Sequence, residues 1–429
     1  DSLGEKHSIK SLVQLSSRPP SHKLYAIMSL NAKGEKIYSK PTSFDYSLLE
    51  EAKNELEEIE ATLPLPKMAV RAGHNTNQAR GYNYTHWRDF FNERQLLTLG
   101  ILLKRIIAVE DENIREQLIC LFSGTLEFNN LFCSFKGEGT GAVRHMFSNH
   151  ILKPERTPLE NCVWGIDGKS SGTFSSLFKS RLLKAKQYLK VPFEIYVEEK
   201  EGRKISTKKV FSRPIDVTVT DNWKDFSQGQ QRALVLNGDS GNLPLPDASV
   251  DAIVTDPPYF DFVHYSELSD FFYAWLSVAL GSKYHYMRKI DSSDKNEVQD
   301  KSEDSFSLKI SRIFRESKRV LKNDGTLSFS YHHSNTQGWL AIYRAIQSAG
   351  LYLTAAHPVK AEMSVASPKS KSKSPINIDA ILVCKKDNHE SQEFLERGCL
   401  LSKVRDYESR FSDIGRTLSS GDIFVICCS

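Results

Sequence analysis

The sequence lacks paired cysteines. Its seven thiols, Cys120, Cys133, Cys162, Cys384, Cys399, Cys427 and Cys428, form no C-x-x-C pair and no even-spaced framework. Neither a disulfide scaffold nor a zinc site is supported, and the thiols read as reduced. Long apolar runs are lacking too. The longest, Phe271 to Leu280, is about ten residues against the ~20 that cross a bilayer, and no signal peptide is expected. A membrane partner is therefore not expected, and the cytoplasm is the expected location. Charge of one sign is also scarce: a formal +4 and a pI near 8.5 suit a nucleic-acid partner and an ordinary enzyme equally. What remains is 429 residues of 40% hydrophobic content, enough for about two or three domains.

Residues 1 to 22 are polar, with a Pro19-Pro20 pair, and are expected to fray. "KLYAIMSLNAKGEKIYSK" has two β-rich arms around Asn31 to Lys36, the pattern of a hairpin. In "SLLEEAKNELEEIEATL", Leu48, Leu49, Ala52, Leu56 and Ile59 recur at helical spacing, giving one core stripe and one solvated acidic face. Asn92 to about Asn130 is again helical, and "QLLTLGILLKRII" is apolar on most sides, as a helix inside a bundle is. Residues 131 to 172 lack periodicity, Phe174 to Leu189 reads as an amphipathic helix, and 193 to 220 alternates enough for a small sheet. A boundary is expected near 230, which makes 23–229 a mostly helical region.

From there to about 390 the rhythm becomes strand, helix, strand, helix, the mark of a parallel α/β sheet, and 391–429 reads as a tail. "RALVLNGD" and "VDAIVTD" are apolar runs ending in acids. "ISRIFRESKRVL" is a helix broken by Asn323-Asp324-Gly325 before the strand "TLSFSYHH". A helix carrying Trp339, Ile342, Ile346 and Ala349 is stopped by Gly350, and the strands "LYLTAA" and "INIDAILVCKK" follow. Ligands of such sheets sit outside the carboxyl ends of the strands, where Asp239 and Asp256 are expected.

The second of these acids opens "DPPY". Pro257 and Pro258 fix φ and remove two backbone donors, so the turn presents carbonyl oxygens as a rigid acceptor. A carboxylate with a carbonyl accepts both hydrogens of an exocyclic amino group, and holding them out of the ring plane localises the nitrogen lone pair. Tyr259 can stack on the ring that carries the amine. A base in a duplex reaches such a pocket only by flipping out, at a few kcal/mol, which stacking at roughly 1 to 3 kcal/mol per base offsets. The ring-rich segment Phe260 to Trp275 has two readings: a wall of that pocket, with His264 and Tyr265 on the substrate side, or a helix packed into a core, which suits Phe271, Phe272 and Trp275 better.

"TDPPY" at a strand end, preceded by "NGDSGNLPLPDASVDAIV", resembles the catalytic strand-loop of amino-group methyltransferases that use S-adenosyl-L-methionine. With "NTNQARGYNYTHWRDFFNERQLLTL" and "DPPYFDFVHYSELSDFFYAWL" the chain resembles, from about Lys23 onward, the adenine-specific DNA methylases that carry a Zn-ribbon domain. The resemblance implies an α/β fold with a Rossmann-like methyltransferase sheet and methylation of the amino group of a flipped-out adenine in DNA. It implies that Asp256, Pro257 and Pro258 hold the amine and that Tyr259 stacks on the base. Asp239, next to Gly238, would contact the cofactor's adenosine part. Restriction-modification or phage defence would be the setting. An RNA base, a cytosine amine, and a non-catalytic subunit that positions DNA for a partner stay open as alternatives.

The resemblance calls for a Gly-rich loop of the form F-x-G-x-G for the cofactor's methionine end, and the sole candidate is "SFKGEGTGAVRH", Gly137 to Gly141. It reads as that loop, as an ordered Gly turn presenting Arg144 and His145 to DNA, or as a bland surface loop. The chain also begins at Asp1 without methionine, so either an upstream segment or a partner chain is expected to carry the missing strands. "RAGHNTNQARGYNYTHWRD" interleaves Arg71, His74, Arg80 and Arg88 with Tyr82, Tyr84 and Trp87, a mixture that grips phosphates and stacks bases or, alternatively, packs inward as a connector. "SPKSKSKSP", Ser367 to Pro375, reads as a solvated loop or a phosphate-contacting arm.

Overall fold

A computed structural model describes residues 8–429 apart from 137–141, 150, 167–169, 201–202, 260–263, 301, 362–375, 387–396, 414 and 416. The chain is mixed α/β and divides into two units, Asp1–Asp216 with His264–Ser293, and Val217–Val263 with Asp294–Ser429. The boundary expected near 230 falls at 216/217. The stretch after the "DPPY" turn returns to the first unit, an excursion that no composition change announces.

The first unit contains the expected hairpin, β1 (Ile27–Leu30) against β2 (Lys36–Ser39), followed by α1 (Ser43–Ile59), which buries Ala52 and Leu56. The second helical stretch is two helices, α2 (Glu93–Ile107) and α3 (Glu112–Leu126). Asn92 and Asp111 accept hydrogen bonds from first-turn amides and so start them. Short antiparallel pairs follow, β3 (Ser134–Lys136) with β4 (Ala142–Arg144) and β5 (Phe193–Lys200) with β6 (Arg203–Val210). The ring-rich segment is α4 (Tyr265–Leu280), and Phe271 and Trp275 are fully buried. They pack against Trp87, Phe90, Phe91 and Phe122, so the core reading holds for these rings. Phe260 to Val263 lie outside the described residues.

The loop that precedes Trp87 is clamped to α4 by carboxylates. Glu267, 5% exposed, accepts the backbone N–H groups of His74, Asn75 and Thr76 at 2.9, 2.6 and 3.1 Å. Asp270, fully buried, pairs with Arg71 at 2.7 Å and takes both the amide and the hydroxyl of Ser292. A buried carboxylate is tolerated only with such a complement of donors. Gly73 leaves room for the carboxylate, which would have to shift for a Cβ there, 2.4 Å from the Glu267 carboxyl carbon.

In the second unit β7 (Thr218–Thr220) and β8 (Arg232–Leu234) form a short parallel pair. The main sheet has the order β11-β12-β10-β9, built from β9 (Val250–Thr255), β10 (Leu321–Tyr331), β11 (Tyr352–Lys360) and β12 (Ile378–Lys385). Only β9 and β10 are parallel neighbours; β12 runs antiparallel to both β10 and β11. The all-parallel expectation is corrected by this inserted strand. The expected strand "RALVLNGD" stops at Leu234 and pairs outside the main sheet, which leaves Asp239 in irregular chain just after a bend at Gly238 rather than at a sheet strand's end. Helices α5 (Glu303–Val320) and α6 (Thr336–Ser348) link β9 to β10 and β10 to β11. The turn expected at Asn323-Asp324-Gly325 is a register shift inside β10, where a Cβ on Gly325 would stand 2.9 Å from the carbonyl oxygen of Asp251. Gly350 closes α6 at φ +68, a left-handed conformation that favours glycine.

The core of this unit joins Phe306, Ile310 and Phe314 of α5 to Leu327, Phe329 and Tyr331 of β10 and to Trp339, Ile342 and Ala345 of α6. The C-terminal segment is not a tail: α7 (Arg397–Asp413) and α8 (Ser420–Cys428) follow β12, and Val425 of α8 enters the same core. Phe329 lies 1% exposed, its ring 5.1 Å from that of Phe314. Phe329→Ala should cost about 3–5 kcal/mol through reduced burial and a residual cavity. A shift in the urea midpoint of the unit measures it, and a loss below about 1 kcal/mol would contradict this packing.

Candidate functional site

The sheet register assembles a cluster at the carboxyl end of the parallel pair. Thr255 faces Phe329, so the next residues, Asp256 and Ser330, fall side by side. The Ser330 hydroxyl donates to Asp256 Oδ1. The Tyr259 hydroxyl lies 3.0 Å from the same Oδ1 and 3.1 Å from Ser330 Oγ, and its single proton is shared between these acceptors. Both hydroxyls thus orient one carboxylate oxygen. Oδ2 makes no hydrogen bond among the described residues, and Asp256 is exposed. Pro257 is buried and Pro258 half-buried, which locks the turn in place.

Tyr259 is half-buried. Its ring meets Tyr331 edge-on at 5.5 Å and His332 at 4.7 Å. Burial pushes the phenol well above its ordinary value, and the charges of Asp379 and Asp256 act in the same direction while the Ser330 contact opposes them. Behind it, His332 Nδ1 forms a close ion pair with Asp379 Oδ1, both nearly buried. Antiparallel pairing of Tyr331 with Ala380 puts these two residues one step further along β10 and β12. Ser330, His332 and Asp379 are the residues that sequence reasoning missed. The signal for them was the polar "SYHH" at the end of a strand, but only the register shows which acid it meets.

The Ser330 and Tyr259 hydroxyls both end on Asp256 Oδ1, so the cluster is organised around that carboxylate. What it can do is present an oriented, charged acceptor at the edge of an aromatic wall, as recognition of an amine or amide N–H requires.

Asp239 sits elsewhere in the unit. Its Oδ1 takes the Gly241 amide at 2.8 Å, and its Oδ2 takes Asn296 at 3.1 Å and pairs with Arg312 of α5. Of roughly four acceptor positions on a carboxylate, these partners leave about one for a ribose hydroxyl. Gly238 is exposed with open space where a Cβ would be. These residues fit the adenosine end of S-adenosyl-L-methionine in part. The Gly137 to Gly141 candidate for the methionine end lies outside the described residues, as does Ser367 to Pro375.

In the first unit the proposed DNA contacts are largely occupied. Trp87 is fully buried and Tyr84 1% exposed. The expectation that Trp87 stacks on a base is overturned, because the apolar spacing of Tyr84, Trp87, Phe90 and Phe91 turns these rings inward. Arg80 donates to the Val70 carbonyl, and Arg88 pairs with Glu60 at 2.7 Å. His264 stacks on His74 at 4.8 Å and stands 3.5 Å from Glu267. Tyr265 is 57% exposed. Arg144 is exposed on β4, and His145 stands 3.6 Å from Glu127 and 5.3 Å from the Phe128 ring. Arg71 is held by Asp270 rather than free for phosphate.

Among the described residues no helix is long and apolar enough to cross a membrane, and no group of three or more His, Cys, Asp or Glu could hold a metal ion. In comparison with known proteins, the chain matches no family model and no curated protein.

The hydroxyl of Tyr259 gives the first check on this geometry. A raised value means that the folded state favours the neutral phenol, so its contribution is present below the ordinary value and is lost as pH rises through the folded one. The near-ultraviolet phenolate signal of wild type minus Tyr259→Phe should therefore stay absent at pH about 10, where a free tyrosine is half ionised. A residue that titrates there would contradict the buried, hydrogen-bonded phenol.

Proposed function

We propose that this chain is an S-adenosyl-L-methionine-dependent DNA methyltransferase acting on the exocyclic amino group of a flipped-out adenine. The observation that carries it is the open Oδ2 of Asp256, an acceptor at a parallel strand's end whose other oxygen is fixed by Tyr259 and Ser330. In this reading Oδ2 and a carbonyl of the 256–258 turn accept the two amine hydrogens, which draws the lone pair out of conjugation with the ring. Tyr259 orients the acid through its hydroxyl and offers a ring edge or face to the base. When bound, the cofactor supplies a methyl group on a sulfonium, with Asp239 and Gly238 at its adenosine end. Asp256 need not lose or gain a proton for the amine to be held.

The sheet supports a Rossmann-like reading: β9, β10 and β11 all run the same way, and α5 and α6 lie in the connections between them. It also supports a need for further strands, from an upstream segment or a partner chain. β9 is the edge of the described sheet, yet it is apolar, and Val254 is 85% exposed. Val235, beyond β8, is 64% exposed. Bare apolar edges invite another strand. A reducing compartment such as the cytoplasm suits the seven free cysteines.

Asp256→Ala should lower methyl transfer to duplex DNA by at least about a hundredfold in a complete enzyme while leaving DNA affinity and fold in place, because the carboxylate acts chiefly on the reacting nitrogen. Transfer of labelled methyl, with circular dichroism as a fold check, decides it. Retention of more than about a tenth of wild-type turnover would remove Asp256 from the reaction.

A further inference from the structure

The charge of this chain is not spread over it. Residues 178–213 hold eleven Lys and Arg against four Glu, whereas the rest of the chain, with 46 basic and 49 acidic residues, is slightly negative. The whole positive balance sits on one segment, whose first turn packs on the first unit, with Arg181 paired to Glu127, and whose later elements are largely exposed. Every residue of the helix Lys184–Lys190 is exposed. So are Glu194 to Tyr196 on β5 and Ser206 to Val210 on β6, and the exposure continues from Phe211 to Asp216. A ribbon exposed along these stretches of both strands forms an arm.

Two lysines of the arm are supported on aromatic rings. Lys208 Nζ stands 3.8 Å from the centroid of Phe193, and Lys209 Nζ stands 5.8 and 6.0 Å from those of Tyr196 and Phe211. Phe193 is in turn edge-on to Tyr188 of the basic helix at 5.3 Å. Rings beneath the ammonium groups hold them in place and shorten the range of positions that each must give up on binding. We infer that the Lys184–Lys190 helix and the described stretches of the β5–β6 ribbon form a nucleic-acid-binding arm in which Lys184, Lys186, Lys208 and Lys209 contact the phosphate backbone of a duplex. This deepens the proposed function and rests on it for the choice of polymer.

Two features favour a nucleic acid over an anionic membrane. A membrane-surface element needs one continuous apolar face, but Lys208 and Lys209 are successive on a strand and so lie on opposite faces of the ribbon. Each face therefore carries an ammonium. A two-stranded ribbon is also of a size that the major groove admits, with phosphates on both flanks. The arm is distinct from the "RAGHNTNQARGYNYTHWRD" stretch, where Arg71, Arg80 and Arg88 are held by Asp270, the Val70 carbonyl and Glu60 and where Tyr84 and Trp87 are buried.

The test is fluorescence anisotropy of a short mixed-sequence DNA duplex titrated with the full chain over a range of salt. The variant combines Lys184→Ala, Lys186→Ala, Lys208→Ala and Lys209→Ala, all at exposed positions, and circular dichroism checks the fold. The inference expects at least about tenfold weaker binding and a log–log salt slope shallower by about 3 to 4, at ~0.9 for each phosphate that a lysine no longer neutralises. Equal affinity and slope would overturn it, as would wild-type chain that binds phosphatidylserine vesicles but not duplex. Methyl transfer to the same duplex at saturating DNA is measured alongside. Salt-dependent binding through the lysines without any transfer keeps the arm and removes the enzymatic reading, whereas transfer with lysine-independent affinity does the reverse.

Discussion

The parallel pairing of β9 with β10 is the constraint on which the site depends. A side chain on a strand alternates faces at every residue, so a slip of one position would move Phe329 and Tyr331 out of the core and Ser330 into it. Burial of Leu327, Phe329 and Tyr331 forbids that slip. The same register then places Ser330 beside Asp256. Packing energy on one face of β10 thus fixes the orientation of a carboxylate at its end, with no separate device needed.

The antiparallel insertion of β12 adds a second layer to this arrangement. It brings Asp379 to His332, and that pair abuts Tyr259, whose hydroxyl returns to Asp256. The acid that would meet substrate is therefore backed by a continuous polar and aromatic chain rather than by solvent. Such backing limits the reorganisation that a charged acceptor must undergo when it meets an amine. Asp256 remains exposed at its other oxygen, a combination of fixed geometry and free valence expected of a binding group.

Much of the architecture was legible because it rests on local rules. Helices α1, α2, α5 and α6, the first hairpin and the Gly350 stop all follow from apolar spacing and caps that lie within a few residues of each other. The strand ending at Asp256 was legible for the same reason. What was not legible depends on distant partners. Ser330 and Asp379 reach the site only through sheet register, and the inserted β12 reverses a direction that sequence alternation does not encode. Trp87 shows the converse error: its neighbours made a nucleic-acid composition, but their spacing made a core. Asn323-Asp324-Gly325 carries turn chemistry, yet the pull of Leu321 and Leu327 into one buried face keeps β10 continuous across it.

Whether Asp256 Oδ2 accepts an amine decides the proposed function. The most direct measurement is a crystal structure of the protein with an S-adenosyl-L-methionine analogue and a duplex whose target adenine is flipped out. The account predicts adenine N6 within about 2.7–3.2 Å of Asp256 Oδ2, with Tyr259 and Ser330 still on Oδ1. A flipped base that leaves Oδ2 without a nitrogen partner, or a duplex with no base extruded toward the 256–259 turn, would contradict it.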